Sequence, residues 1–439
     1  MRHFIFVVLW SVVLSFAQWS AERVGPVSQY GKLLTGKNSA GKGRIYGSCD
    51  SISTGKEVQV KGMSLFWSTG GEGNIFYNDR AVSRLVSELN IELIRAAMGV
   101  EVDWGETDSA KGYVLKPEIQ KAMVENVVES AIKNDIYVII DWHSHSAENY
   151  TNEAKTFFRE MAQKYGKYDN VIFELYNEPL NITWATIRSY AEEVISVIRE
   201  HSDNLVIVGT PEWDQRTDAA INNPLNDPNV AYVHHFYAGS HCVSGTTSWE
   251  SPCEGEHALK AINAGLSVFI SEWGTVNSDG DGAVANRNDE WQNWMNEHKI
   301  SWANWSVSDK SEGATVFVFR TSAESGWRYT DSGNYIKNIL ASNPSAYKAC
   351  EDKESQSIAT PRIKVKDFSL AKTASTIVLH NHQSQNVHIT IFDMLGHQVY
   401  TSIHSGLEHR ISLQNLSSGN YILFAKTDTY QQTMNLQIK

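Results

Sequence analysis

Two short strings carry residue types that can act on a glycosidic bond: Leu175-Tyr176-Asn177-Glu178-Pro179 and Ile270-Ser271-Glu272-Trp273-Gly274. Each sets a glutamate just after an apolar, strand-like run, 171–176 in the first and 267–271 in the second. Two carboxyl groups flanking such a bond divide the work: one protonates the leaving oxygen and the other attacks the anomeric carbon. The proton donor must still hold its proton near neutral pH, which takes burial or a nearby negative charge. Glu272 supplies that charge to Glu178 if the fold brings the two together. Alone, Asn-Glu-Pro reads equally well as a turn; the second strand-end glutamate is what gives it meaning.

Other polar groups sit at comparable points. Arg95 lies near the end of an apolar run and is a candidate to hold a nucleophilic carboxylate ionised. His143 follows another run in Asp141-Trp142-His143, and His235 and Tyr237 follow a third in His234-His235-Phe236-Tyr237. Imidazole and phenol there can bond a sugar hydroxyl or a carboxylate. A lone histidine is more often structural, but several strand-end polar groups in one fold are harder to dismiss. Trp305 closes a further run and is a candidate stacking platform, with core packing as the plain alternative.

The elements that must position these residues alternate. Strand candidates fall at 58–64, 91–97, 137–141, 171–176, 205–209, 230–234, 268–271 and 301–305, with helical patterns between most of them. Pro117 opens one such helix, a favoured place for proline. Alternation implies parallel strands with right-handed crossovers, and eight units imply a closed (β/α)8 TIM barrel with its chemistry at the C-terminal strand ends. An open doubly wound sheet competes, but no glycine-rich dinucleotide turn follows the first strand. Residues 18–55 are expected to form a hairpin over the barrel's other end.

Residues 1–17 read as an export signal, with Arg2 before an apolar run and small residues at Ser15-Phe16-Ala17. No membrane span is expected once the signal is removed. The catalytic domain is expected over 18–345, a polar linker over 346–362, and a small all-β sandwich over 363–439. A net charge of −12 argues against nucleic acid as a partner. Fourteen tryptophans suit stacking on the apolar faces of sugar rings as well as packing. Four cysteines fit an exported chain. Cys242 and Cys253 share one small-residue stretch, and Cys49 and Cys350 flank the large domain. Three pairings of the four remain open. No Cys–His spacing suggests zinc. Asn-x-Ser/Thr strings at Asn149, Asn181, Asn304 and Asn415 are read as chance.

Taken together, Val60-Lys61-Gly62-Met63-Ser64, Ile94-Arg95, Ile140-Asp141-Trp142-His143, Tyr176-Asn177-Glu178-Pro179, His235-Phe236-Tyr237, Phe269-Ile270-Ser271-Glu272-Trp273-Gly274 and Trp302-Ala303-Asn304-Trp305 resemble family 5 glycoside hydrolases, nearest the bacterial endo-β-1,4-glucanase branch. The resemblance covers about 25–340. It implies Glu178 as general acid/base and Glu272 as nucleophile of a retaining double displacement. It also implies Asn177 on the sugar 2-hydroxyl, Arg95 and Tyr237 supporting Glu272, and His143 and His235 lining the same subsite. Trp305 would stack beneath that sugar, with Trp67 a further platform. No cofactor or metal is implied. The stretch 239–255 does not map onto the family pattern, which leaves the subsite there open. The tail, through Ile391-Phe392-Asp393-Met394-Leu395-Gly396 and Gly419-Asn420-Tyr421-Ile422, resembles the sorting domain of the type IX secretion pathway. It implies a secreted or cell-surface protein that meets secretion or attachment machinery; a carbohydrate-binding module is the alternative. The expected substrate is cellulose or mixed-linkage β-glucan. Mannan or xyloglucan, and a non-catalytic glycan-binding role, are the other readings.

Overall fold

The computed structural model describes residues 19–49, 56–245, 252–321 and 326–350, and in the tail 368–372, 376–381, 386–393, 397–406, 408–414, 416–427 and 431–438. The expected export signal, most of the linker, Met394 to Gly396 and Asn415 lie outside them. The chain divides into two compact units, 1–351 and 352–439.

In the first unit the strands Lys61–Leu65, Leu93–Gly99, Tyr137–His143, Val171–Glu174, Val206–Val208, Val230–Val233, Val268–Gly274 and Trp302–Val307 pair in parallel, in that order. The eighth returns to the first, with Trp302 opposite Lys61 and Trp305 opposite Ser64, so the barrel is closed. Helices Asp79–Leu89, Pro117–Lys133, Thr151–Tyr165, Trp184–Ile198, Glu254–Asn263, Asn288–His298 and Asp331–Leu340 cover it. Between the fifth and sixth strands stand just two one-turn segments, Pro211–Asp214 and Thr217–Ala220.

Period-two alternation builds the interior in layers. The lower layer is apolar: Val60, Leu93, Ile139, Ile172, Ile207, Val233, Phe269 and Ala303 pack with Leu33, Ile45 and Val58 from outside the barrel. The antiparallel hairpin Leu33–Lys37 and Gly43–Gly47 thereby closes the N-terminal end. Two residues further along the second, third and fourth strands the inward positions are Arg95, Asp141 and Glu174, all fully buried. Apolar filling gives way to charge just below the C-terminal mouth.

Several boundaries differ from the sequence reading. The fourth strand ends at Glu174, four residues before Glu178, so Glu178 stands on the loop that follows. Glu272 lies inside the seventh strand, which runs on to Gly274. Residues 346–350, expected to begin the linker, are tied to the barrel unit: Tyr347 bonds Glu92 at 2.9 Å, and Cys350 N donates to Ser28 O at 2.7 Å. Disulfides join Cys49 to Cys350 and Cys242 to Cys253, with Cα separations of 5.8 and 5.1 Å.

The second unit is two antiparallel sheets. Phe368–Lys372, Thr376–Asn381 and Glu408–Ser412 form one, and Gln398–His404, Val387–Asp393, Gly419–Lys426 and Gln431–Ile438 the other. Ile377, Leu379, Ile389, Ile391, Leu423 and Leu436 from both sheets share one core. Of the tail aromatics, Tyr421 is buried, whereas Tyr400 and Phe424 are half-buried.

Candidate active site

Arg95 is the centre of the constellation. Its Nε donates to Glu174 Oε2 at 2.6 Å and its Nη1 to Glu272 Oε2 at 2.8 Å. Its Nη2 reaches Asn177 Oδ1 at 2.7 Å and Asp141 Oδ2 at 3.0 Å. The guanidinium has donors only, arranged in a rigid fork, so each bond fixes the orientation of an acceptor. Burial works against the charge, but Asp141, Glu174 and Glu272 around it outweigh that and push the guanidinium well above its ordinary value.

Glu272 is held at both oxygens, because Tyr237 O–H donates to Oε1 at 2.7 Å. Burial, then Glu272 itself, pushes the phenol far up, so it remains a donor. Gly274 makes room for this ring: a Cβ there would lie 2.1 Å from Tyr237 Cδ1. The register explains why two consecutive residues, Ser271 and Glu272, both enter the site. Ile270 pairs with Trp302 and Trp273 with Asn304, so the seventh strand carries one extra residue, a bulge of the kind that re-aims side chains.

Glu178 takes a left-handed backbone, φ 51°, and its Oε1 lies 3.1 Å from His235 Nδ1. Burial pushes its carboxyl up from the usual range, opposed by the nearby His145 and Arg95. His235 Nε2 lies 2.9 Å from Ser271 Oγ, which in turn lies 2.5 Å from Glu174 Oε1. Burial pushes His235 down to about 4, so it is neutral at pH 7. Burial pushes Glu174 and Asp141 each up to about 7, despite Arg95. One donor atom each from Glu178, His235 and Glu272 lies within 4.8 Å of the others. A divalent cation accepts such spacing; these are also the atoms that would meet a scissile bond.

His143 is buried; its Nδ1 lies 2.7 Å from Asp141 Oδ2, which orients the ring. Trp305 stacks on His143 at 5.5 Å with planes 4° apart. Trp67 meets His143 edge-on at 4.1 Å, and Trp104 lies 5.1 Å from Trp67. These aromatics, with Lys310 and Glu312, line a cavity of about 310 Å³ that reaches both Glu178 and Glu272. Trp213, Gln215 and His241 line a second cavity of about 370 Å³, which shares Glu178, Tyr237 and Ser278 with the first. His241 belongs to the stretch that did not map onto the family pattern; its Nδ1 accepts from Tyr237 N at 2.9 Å and so holds the Tyr237 backbone.

With this geometry in view, residues 51–311 match the family model for cellulase, glycosyl hydrolase family 5. The chain belongs to that family. It is 46% identical over 298 residues to endoglucanase Z of Dickeya dadantii, covering 67% of this chain and 65% of that one. It is 37% identical over 313 residues to an endoglucanase of Clostridium saccharobutylicum, covering 68% and 65%. It therefore spans just under two thirds of the length of these relatives. The catalytic domain of Thermobifida fusca endoglucanase Cel5A, solved with cellotetraose, superposes with a TM-score of 0.62 at 30% identity, covering 73% of this chain and 100% of that one. Residues 371–439 match a secretion system C-terminal sorting domain. Among the described residues no helix of this family 5 protein is long and apolar enough to cross a membrane.

The fold brings together all nine residues singled out from the sequence, Arg95, His143, Asn177, Glu178, His235, Tyr237, Glu272, Trp305 and Trp67. Sequence reasoning passed over Glu174, Ser271, Asp214, His145, His241, Trp104 and Trp213. Glu174 left a trace: a carboxylate inside the apolar run 171–176 has to be paired. Asp214 and Trp213 left none, because they sit on a connection without helical or strand periodicity.

Proposed function

We propose that this protein is a retaining endo-β-1,4-glucanase that cuts internal bonds of cellulose or mixed-linkage β-glucan. The observation that carries the reading is the close approach of Glu178 and Glu272, with donor atoms within 4.8 Å, where two open cavities meet at Glu178. Retaining enzymes hold their two carboxyl groups roughly 5–5.5 Å apart, too close for a water between them to act as in inversion. Two adjoining cavities suit a chain that runs through the site.

In this mechanism Glu272, aligned by Arg95 and Tyr237, attacks the anomeric carbon. Glu178 gives its proton to the departing oxygen, and a covalent glycosyl–Glu272 ester forms. Glu178 then takes a proton from water, the water oxygen attacks the same carbon, and Glu272 leaves with configuration retained. Asn177 spends its carbonyl on Arg95, which leaves its N–H groups to donate to the sugar 2-hydroxyl. His143, His235 and Trp305 form the walls and floor of that subsite. Trp67 and Trp104 continue on the glycone side, and Trp213 lies on the aglycone side. The relatives named endoglucanase, and the Thermobifida fusca enzyme bound to cellotetraose, favour glucan over mannan or xyloglucan.

We further assign residues 1–17 to an export signal, 18–345 to catalysis, 346–362 to a linker with its first residues held on the barrel, and 363–439 to secretion or surface attachment. The product is then extracellular. The test is viscosity and reducing-end release on carboxymethylcellulose, with mannan and xyloglucan in parallel, for wild type, Glu178→Gln and Glu272→Gln. A fast viscosity drop lost in both variants supports the reading. Activity confined to mannan or xyloglucan overturns the substrate, and full activity in either variant overturns the site.

A further inference from the structure

The connection after the fifth strand has an unusual backbone. Glu212, Trp213 and Asp214 are three consecutive residues in the left-handed region, with φ of 58°, 56° and 63°. Such conformations are disfavoured for residues with a Cβ and persist where their surroundings enforce them. Glu178, across the cleft floor, is left-handed as well. The two irregular segments are bonded to each other. Trp213 N donates to Pro179 O at 2.9 Å and Glu212 N to Leu180 O at 3.2 Å.

The Asp214 side chain joins them most directly. It is fully buried. Its Oδ2 accepts from Glu178 N at 2.8 Å and its Oδ1 from Thr210 N at 2.5 Å. Oδ2 also lies 3.5 Å from His235 Nδ1, and Asp214 O accepts from His235 N at 3.1 Å. One carboxyl thus ties together the segments that follow the fourth, fifth and sixth strands. Gly209 leaves it the space, since a Cβ there would lie 2.9 Å from Asp214 Oδ1 and 2.5 Å from Tyr176 O. Its contacts lie on the side of Glu178 and His235; the donors to Glu272 are Arg95 and Tyr237.

We propose that Asp214 is a positioning residue for the acid/base: by capping the Glu178 amide and bracing the left-handed turn, it aims the Glu178 carboxyl at the leaving-group oxygen. The proposal rests on the reading of Glu178 as the acid. Asp214 has no part in the attack by Glu272, so its removal impairs substrates in proportion to their need for a proton.

The experiment compares kcat/KM for cellotetraose, whose leaving sugar must be protonated, with 2,4-dinitrophenyl cellobioside, whose phenolate leaves unaided. Asp214→Ala and Asp214→Asn are measured beside Glu178→Gln. The ratio of the two kcat/KM values within one preparation does not depend on the fraction folded. For Asp214→Ala we expect cellotetraose turnover to fall about 100-fold, the scale of a misplaced general acid, with the dinitrophenyl substrate within about threefold of wild type. Asp214→Asn keeps one acceptor and falls between. Equal loss on both substrates, or no loss on cellotetraose, refutes the proposal while Glu178→Gln shows the split. If Glu178→Gln shows no split either, the assignment of the acid fails instead.

Discussion

Glu174→Gln separates the electrostatic account of the barrel mouth from its packing. In the folded protein Glu174 is pushed from 4.5 up to about 7 by burial, against the opposing pull of Arg95. A carboxyl raised on folding adds stability that is full below its unfolded value and lost as pH climbs through the folded value. Wild type should therefore lose stability between about pH 4.5 and pH 7, by at most about 3 kcal/mol from this one group at 1.36 kcal/mol per unit. Glutamine fits the site: its carbonyl can accept from Arg95 Nε and its amide can donate to Ser271 Oγ. Urea unfolding followed by tryptophan fluorescence reads the barrel, because all 14 tryptophans precede residue 352. The variant's stability relative to wild type should improve as pH rises from 4.5 to 8. The substitution also sets the hydrogen bonds of the relay. Ser271 must now donate to His235 Nε2, so His235 Nδ1–H donates to Glu178 and favours its ionised form. The alkaline limb of kcat/KM should move to lower pH. A stability difference independent of pH, or an alkaline limb that moves up, would refute the reasoning.

Other perturbations address the remaining parts of the site. Tyr237→Phe removes one of the two donors to Glu272 and should lower kcat/KM on carboxymethylcellulose about 10- to 100-fold, the worth of a bond to a charged group, with the unfolding midpoint little changed. Trp104→Ala should raise KM about fivefold for long cello-oligosaccharides, from the loss of one stacking contact, and leave short ones unaffected. Cys350→Ala opens a loop of 301 residues and should destabilise the barrel by roughly 2–5 kcal/mol with kcat unchanged at low temperature. Urea midpoints with and without reductant check the last of these, since reduction should bring wild type toward the variant.

What was legible in the sequence followed from periodicity and from types that tolerate few environments. The eight barrel strands and the all-β character of the tail showed because alternation survives translation into a string of letters. Glu178 and Glu272 showed because each ends an apolar run. The strand ends themselves were misplaced by up to three residues, since the mouth of the barrel is where apolar filling stops and Arg95, Asp141 and Glu174 take over. Period two also says that Ser271 and Glu272 face opposite ways, and only the bulge opposite Trp302 and Asn304 turns both toward the cleft. Asp214 and Trp213 were invisible for a related reason. Three left-handed residues in a row have no side-chain period, so nothing in Pro211-Glu212-Trp213-Asp214 distinguishes a brace from an ordinary turn.

The same contrast has a consequence for the chemistry. In the proposed mechanism the nucleophile is fixed from regular structure, with Glu272 on the seventh strand and Arg95 reaching it from the second, across the barrel interior. The proposed acid is fixed from irregular structure, with Glu178 on a loop held by Asp214 and His235. A nucleophile must approach one carbon along one line, which suits a rigid strand. An acid/base must serve the leaving sugar first and a water next, which a loop braced at its backbone allows without moving the strand beside it. Substitutions in the connection after the fifth strand should accordingly alter leaving-group dependence, whereas those in the second and seventh strands should alter every substrate alike.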